Sequence, residues 1–325
     1  KIKAQKAADL AADLEKKMPK ANCFVAGTLL LLSSGTAIAI EDVEVGMIVP
    51  TSIKEEAEQM QRPLTEIDPD YYDAIDPDFW RQIDLEVVDR FGRVAKVSLL
   101  RPLPWLEHFD VHVDREMPLE VTESRINGEA IVTAIKPCPE RARYGHSGNR
   151  AVISTMQSYA PDVWSLLLEG GQEPIGVTAS HLSYRESSDE WVMARDIRPG
   201  DTMLSASGVA IKVLSMEPRG GVAPVWNLEV HRGHSYFVGD AAILVHNTCA
   251  EKLQRMKDKG QKMPRDIERF DGPHQGTMTE HVHFKDGTVL NRDGTISHKG
   301  RGKPAPSRKA QKFLESHGWS GEVKE

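Results

Sequence analysis

The chain has 325 residues, 40% of them hydrophobic and 27% charged, with a net charge of −7. That length is a prior for roughly two domains of ordinary globular composition. The longest apolar candidate, "CFVAGTLLLL", is too short for a membrane span and is interrupted by Gly27 and Thr28, and three cysteines (Cys23, Cys138 and Cys249) exclude a disulfide framework.

The first 22 residues, "KIKAQKAADLAADLEKKMPKAN", mix Ala and Leu with charges and predict a solvated helix. Because the chain opens on Lys1 without a signal peptide, this stretch is read as a linker from a larger parent polypeptide. From Cys23 onward the pattern is all-β. "TLLLLSSGTAIAIEDV" gives a strand, a Ser-Ser-Gly turn and a second strand. Between Lys54 and Arg90, twelve carboxylates face four basic side chains, and this acidic insertion, about 52–90, reads as a solvated loop broken by prolines. It lacks the spacing and the glycine of a calcium loop. Beyond it, "VAKVSLL", "LEVTE", "EAIVTAI", "AVISTM", "VWSLLLE", "PIGVTAS", "WVMA", "AIKVLSME", "VWNLEV", "SYFVG" and "AAILVH" are short runs rich in Val, Ile and Thr. Many such runs predict a closed or nearly closed β architecture. Cys138, between two prolines, reads as an inert structural thiol.

The pattern changes character after Asn247. From Thr248 to Glu325 there are 16 Lys+Arg against 11 Asp+Glu, a balance of +5, whereas the rest of the chain has 25 against 37, or −12. "EKLQRMKDKGQKM" predicts a basic helix, "TEHVHFKDGTVLNRDGTISHKG" two or three strands joined by Asp-Gly turns, and "SRKAQKFLESHGW" a closing helix with Phe313 and Leu314 inward. The expected organisation is therefore 1–22 linker, 23–247 β domain and 248–325 a small α+β unit.

Three features of the β domain fit peptide-bond cleavage from within the chain. The Cys23 thiol can attack the carbonyl of Asn22 and convert an amide to a thioester. "TASH", Thr178 to His181, supplies a hydroxyl to orient the scissile peptide and an imidazole to protonate the departing nitrogen. At the far end the Asn247 carboxamide can attack its own main-chain carbonyl, closing a succinimide and releasing the segment that starts at Thr248. His246 is then the natural proton donor to the leaving amine, and His234 can activate the Asn amide or polarise its carbonyl.

These residues resemble the Hint (hedgehog/intein) family, and within it the pretoxin-Hint domains of bacterial polymorphic toxins. The resemblance is carried by "NCFVAGTLLLL", "EDVEVGMIV", "GVTASHLSY", "WVMARDIRPGDTML" and "VWNLEVHRGHSYFVGDAAILVHN", in the family's order, followed by "TC". It implies a mainly β, horseshoe-like fold whose ends meet, bringing Cys23 and Asn247 into one site. Splicing relatives need a nucleophile after the terminal Asn; here Thr248 holds that place and can receive the acyl group. The resemblance favours release over ligation, so the expected event is cleavage at Asn247–Thr248, with thioester formation at Cys23 optional.

The 248–325 segment resembles, more loosely, the small ribonuclease-like toxins that lie downstream of such domains. It carries His274, His281, His283, His298 and His317. In a metal-independent ribonuclease one His removes the 2′-hydroxyl proton, a second protonates the leaving oxygen, and Lys or Arg steadies the phosphorane. Strand alternation puts His281 and His283 on one face, with Glu280 a further base and His298 and Lys299 past an Asp-Gly turn. No cofactor or metal is expected on this reading. A metal-dependent DNase using His-x-His, or a binding module exposed by cleavage, are the alternatives. The implied partners are an RNA substrate, the parent polypeptide and an acidic immunity protein complementing the +5 surface, with no membrane partner. The implied destination is export within a larger toxin and action in the target-cell cytoplasm.

Overall fold

Alternating inward and outward side chains build the described residues mainly into antiparallel strands. The computed structural model describes residues 21–52, 65–89, 91–121, 124–233, 235–246, 263–271, 281–292, 294–300, 306–316, 319 and 323. The chain divides into two units: Asn22–Asn247, and Lys1–Ala21 together with Thr248–Glu325. Among the described residues no helix is long and apolar enough to cross a membrane. Of the predicted helices over 1–22 and 251–263, residues 1–20 and 251–262 lie outside the described residues.

The first unit is mainly β. Its strands are β1 (Phe24–Val25), β2 (Leu29–Leu31), β3 (Ala37–Ala39), β4 (Ile48–Pro50), β5 (Trp80–Val88), β6 (Val94–Pro102), β7 (Glu116–Val121), β8 (Ile126–Pro137) and β9 (Asn149–Ala160). They continue with β10 (Val163–Leu168), β11 (Ile175–Thr178), β12 (Leu182–Arg185), β13 (Glu190–Met193), β14 (Thr202–Leu204), β15 (Ala210–Pro218), β16 (Ala223–Val230), β17 (Ser235–Val238) and β18 (Ile243–His246). One short helix, α1 (Leu103–His108), follows β6.

The antiparallel ladder runs β7-β8-β5-β6-β9-β16-β1-β11-β10-β15. It continues β15-β14-β12-β18-β17-β2-β3. Two consequences position the site. The start of the unit, β1, is held by β11 through Phe24↔Val177, and its end, β18, is held by β12 through Leu182↔His246. Only Ala179–His181 separates β11 from β12, so the two ends of a long chain segment dock on either side of one short turn.

The main core gathers Phe24, Leu30, Val152, Val177, Leu228, Tyr236, Val238 and Val245. Each fully buried aliphatic contributes about 1.5–3 kcal/mol. The core thus stabilises both ends of the unit at once. Gly176 lets β1 and β11 approach, because a Cβ there would land on the Val25 side chain.

The acidic insertion is only partly the solvated loop expected for 52–90. Trp80–Val88 is a nine-residue strand with Trp80, Ile83, Leu85 and Val87 buried. Its carboxylates Asp84 and Glu86 alternate with the inward apolar positions, as strand period demands. Asp84 is occupied by Gln82, Ser98 and Lys136, which hold its carboxyl below the usual carboxylate range despite the opposing effect of burial. Upstream, Asp68 and Asp70 are buried, not solvated. Asp70 Oδ1 accepts the Arg232 backbone N–H at 2.8 Å, Asp73 pairs with the Arg232 guanidinium at 2.5 Å, and His231 Nε2 lies 3.1 Å from Pro69 O. The loop is therefore strapped onto the turn after β16, a role that composition could not show.

In the second unit β19 (Ile267–Asp271), β20 (His281–Phe284), β21 (Val289–Asn291) and β22 (Ile296–His298) form a sheet in that order. The helix α2 (Arg308–Ser316) packs against it. Ile267, Phe270, Val282, Phe284, Leu290, Ala310, Leu314 and Trp319 make its core, with Phe313 partly buried against it. The Asp286-Gly287 turn between β20 and β21 has Gly287 at φ +87°, a left-handed conformation that favours glycine.

Candidate functional site

Thr178 is the clamp on Cys23. Its Oγ1 accepts the Cys23 backbone N–H at 2.8 Å and donates to Cys23 O at 3.2 Å, while Thr178 N donates to the same carbonyl at 2.9 Å. Asn22, Cys23, Thr178, Ser180 and His181 are all fully buried. The segment after Thr178 is fixed by its backbone: Ala179 N donates to Asp162 O, Arg195 N to Ala179 O and Ala194 N to His181 O. A peptide nitrogen held by one hydroxyl in a dry pocket is oriented without solvent competition. The nitrogen so held is the one that an N–S acyl shift at Cys23 must expel.

His181 sits beside Phe24 with ring centroids 4.2 Å apart. Its Nδ1 is 3.1 Å from Leu182 O, an acceptor only, so that nitrogen carries a proton. Nε2 faces the Tyr236 hydroxyl at 3.4 Å, and that hydroxyl also lies 3.3 Å from Asn227 Oδ1. Complete burial pushes the imidazole pKa down to about 3, opposed only by the Leu182 carbonyl. The resting ring is therefore neutral. Burial, with the nearby Cys23 second, holds Tyr236 well above its ordinary value, so it remains a phenol. Tyr236 and Asn227 escaped sequence reading because only the tertiary packing of β16 and β17 around the turn after β11 brings them to His181.

His246 ends β18, buried at 2% exposure, with its ring edge-on to Trp191 at 5.1 Å between centroids. Its cross-strand partners are Leu182 and Ser235. The structure thus places Cys23, Thr178, His181 and His246 around one turn. His234, Asn247 and Thr248 lie outside the described residues. Cys138 stands apart, in the cluster around Trp80, where burial pushes its thiol up to about 12 and leaves it protonated.

In the second unit strand period sets Val282 and Phe284 inward and His281 and His283 on the opposite face, their ring centroids 5.1 Å apart. His281 is buried and His283 partly exposed. Arg269, the register partner of His283, places Nη2 3.1 Å from His283 Nε2. His298 is exposed at the end of β22, as the register partner of Val289, which also pairs with His283. Lys299 comes next on the exposed surface, and Glu280 lies outside the described residues. Among the described residues no three His, Cys, Asp or Glu side chains group as a metal site. Arg269 was not singled out in the sequence, where nothing links it to a histidine fourteen positions on.

No family model and no curated protein matches the chain. Among solved structures it is similar to a bacterial intein-like domain from Clostridium thermocellum, at 18% identity over 70% of this chain and 99% of that one, TM-score 0.37. It is also similar to the TvoVMA intein, at 15% identity over 70% and 99%, TM-score 0.35. A DnaB intein from Synechocystis sp. PCC 6803 gives 15% identity over 70% and 99%, TM-score 0.33.

Proposed function

We propose that the unit Asn22–Asn247 is a self-cleaving, intein-like processing domain that cuts the chain at Asn247–Thr248. Asn247 cyclises on its own carbonyl, His246 protonates the departing Thr248 nitrogen, and His234 assists the amide. The observation that carries the reading is the docking of both ends of the unit on the Thr178–Leu182 turn, through Cys23 on one side and His246 on the other. Holding a reacting group against its target in this way replaces a chance encounter by a unimolecular step. A neutral His181 whose ring nitrogens face Leu182 and Tyr236 is a weak acid at rest, which favours the C-terminal cut over the Cys23 thioester. The test is a pair of variants followed by intact mass: Asn247→Ala is expected to abolish the cut and Cys23→Ala to spare it or only slow it. The reverse pattern overturns the assignment.

The released piece we read as a cationic ribonuclease whose acid and base are His281 and His283, with His298 and Lys299 near the substrate. One observation favours this over the His-x-His metal nuclease: a guanidinium already stands on His283 Nε2, where it repels a metal cation from that lone pair. An acidic immunity protein, export within a larger toxin and action in a target cell belong to the same proposal. Incubating the released piece with total RNA and with plasmid, each with and without chelator, tests it. RNA loss despite chelator is expected; plasmid nicking abolished by chelator supports the metal enzyme instead.

A further inference from the structure

The sheet face opposite the core of the second unit holds an interaction the ribonuclease reading does not use. Arg269 lies directly across from His283 in the β19–β20 register, with its guanidinium 3.1 Å from Nε2. A guanidinium has donors and no acceptor. His283 Nε2 must therefore be the acceptor, and the ring is a neutral tautomer protonated on Nδ1. Its lone pair, the feature a general base needs, is covered by a cation.

We propose that Arg269 is a phosphate-binding residue that masks His283 as a base in the free protein and unmasks it when an RNA phosphodiester draws the guanidinium away. This rests on the ribonuclease reading of the unit. Three features support it. Arg269 is exposed at the site's edge, so an incoming anion can reach it. A phosphate offers the guanidinium an opposite charge and paired acceptor oxygens for a bidentate bond, which a single neutral imidazole nitrogen cannot, so the exchange favours the phosphate. Among the described residues the charged or titratable positions on this face include His281, 5.1 Å away on the same strand, Asp271 as the β19 register partner of His281, and His298 on β22. After the exchange Nε2 takes the 2′-hydroxyl proton as the 2′-oxygen attacks phosphorus and the P–O5′ bond breaks. His281 gives a proton to the leaving 5′-oxygen. Cleavage leaves a 2′,3′-cyclic phosphate and a 5′-hydroxyl, with atoms and charge balanced. Until substrate arrives, the base is held out of action.

The full chain, labelled with 15N-histidine, tests this with inorganic phosphate as the probe. In wild type the His283 Nε2 signal should lie at the acceptor end of the imidazole range and move on phosphate addition, with the signal assigned by its loss in His283→Gln. In Arg269→Gln the phosphate-dependent movement should be lost and RNA cleavage should fall about 10²-fold. Arg269→Lys, which keeps the charge but not the fork, should recover part of both. A residue needed only for folding would not remove a ligand-dependent signal while the remaining histidine resonances stay native. A phosphate response that persists in Arg269→Gln overturns the inference whether or not the unit degrades RNA. A wild-type chain that responds to phosphate but leaves RNA intact instead overturns the ribonuclease reading, and with it the role of His283 as a base.

Discussion

Replacing Thr178 by Val removes a hydroxyl and keeps the shape of a fully buried side chain. The Cys23 carbonyl keeps its bond from Thr178 N at 2.9 Å, but the Cys23 N–H loses its acceptor at 2.8 Å. Losing a partner in a dry site costs about 1–3 kcal/mol, because the group cannot turn to water. At about 2 kcal/mol, the melting temperature of a unit this size falls by roughly 4–8 °C. The effect on chemistry is separate. If the hydroxyl orients the nitrogen that must leave, thiol-induced cleavage before Cys23 slows by about 10²-fold, while the cut after Asn247 is unchanged. Intact mass after incubation with excess thiol tracks both cuts in one spectrum. Thr178→Ser keeps the oxygen and should restore most of the rate. If Thr178→Val is cleaved by thiol as fast as wild type, or Thr178→Ser is as slow as Thr178→Val, the hydroxyl does not position the scissile nitrogen.

Acid should weaken the first unit through its buried histidines. Folded His181 titrates near 3 and unfolded near 6.5, so between those values the unfolded state binds the extra proton. Stability is then complete above about pH 6.5 and falls by about 1.4 kcal/mol per pH unit on acidification towards 3; burial lowers His231 as well and adds in the same direction. Urea midpoints at several pH values should show a shallower acid slope in His181→Gln, and an unchanged slope contradicts the buried neutral ring. Asp70→Ala takes away the acceptor of Arg232 N and should cost about 1–2 kcal/mol, read as a lower urea midpoint; no change means the strap holds nothing. Gly176→Ala drives a methyl into Val25 and should cost about 1–3 kcal/mol while also slowing thiol cleavage, because Val25 lies on the same short strand just beyond Cys23. Cys138, its thiol pushed up to about 12, should resist alkylation at pH 8 until the chain is unfolded; rapid labelling of the folded protein contradicts that assignment.

The features legible in the sequence were local. The β2–β3 hairpin shows in "TLLLLSSGTAIAI" because the apolar run, the Ser-Ser-Gly turn and the second run are contiguous. β5 was hidden because Asp84 and Glu86 made its outward face look like part of an acidic loop, while Trp80, Ile83, Leu85 and Val87 pointed inward. Thr178 and His181 could be singled out by spacing, but the contact between Thr178 and Cys23 spans 155 positions. That contact is a property of the β1–β11 pairing. Arg269 on His283 is likewise set by strand register, while Tyr236 beside His181 and Arg232 on Asp70 are set by how segments distant in the chain pack together. Single residues carry no mark of such partners. The charge break at Asn247, by contrast, is plain in composition alone.

The most direct test of self-cleavage is the mass balance of the purified full chain held at neutral pH. Cyclisation of Asn247 adds no water, so the piece ending in succinimide and the piece beginning at Thr248 should have masses that sum to that of the intact chain, before the succinimide slowly hydrolyses. Fragments of the Asn247–Thr248 cut that from the outset sum to the intact mass plus one water, or cleavage only at bonds other than Asn247–Thr248, would contradict the account.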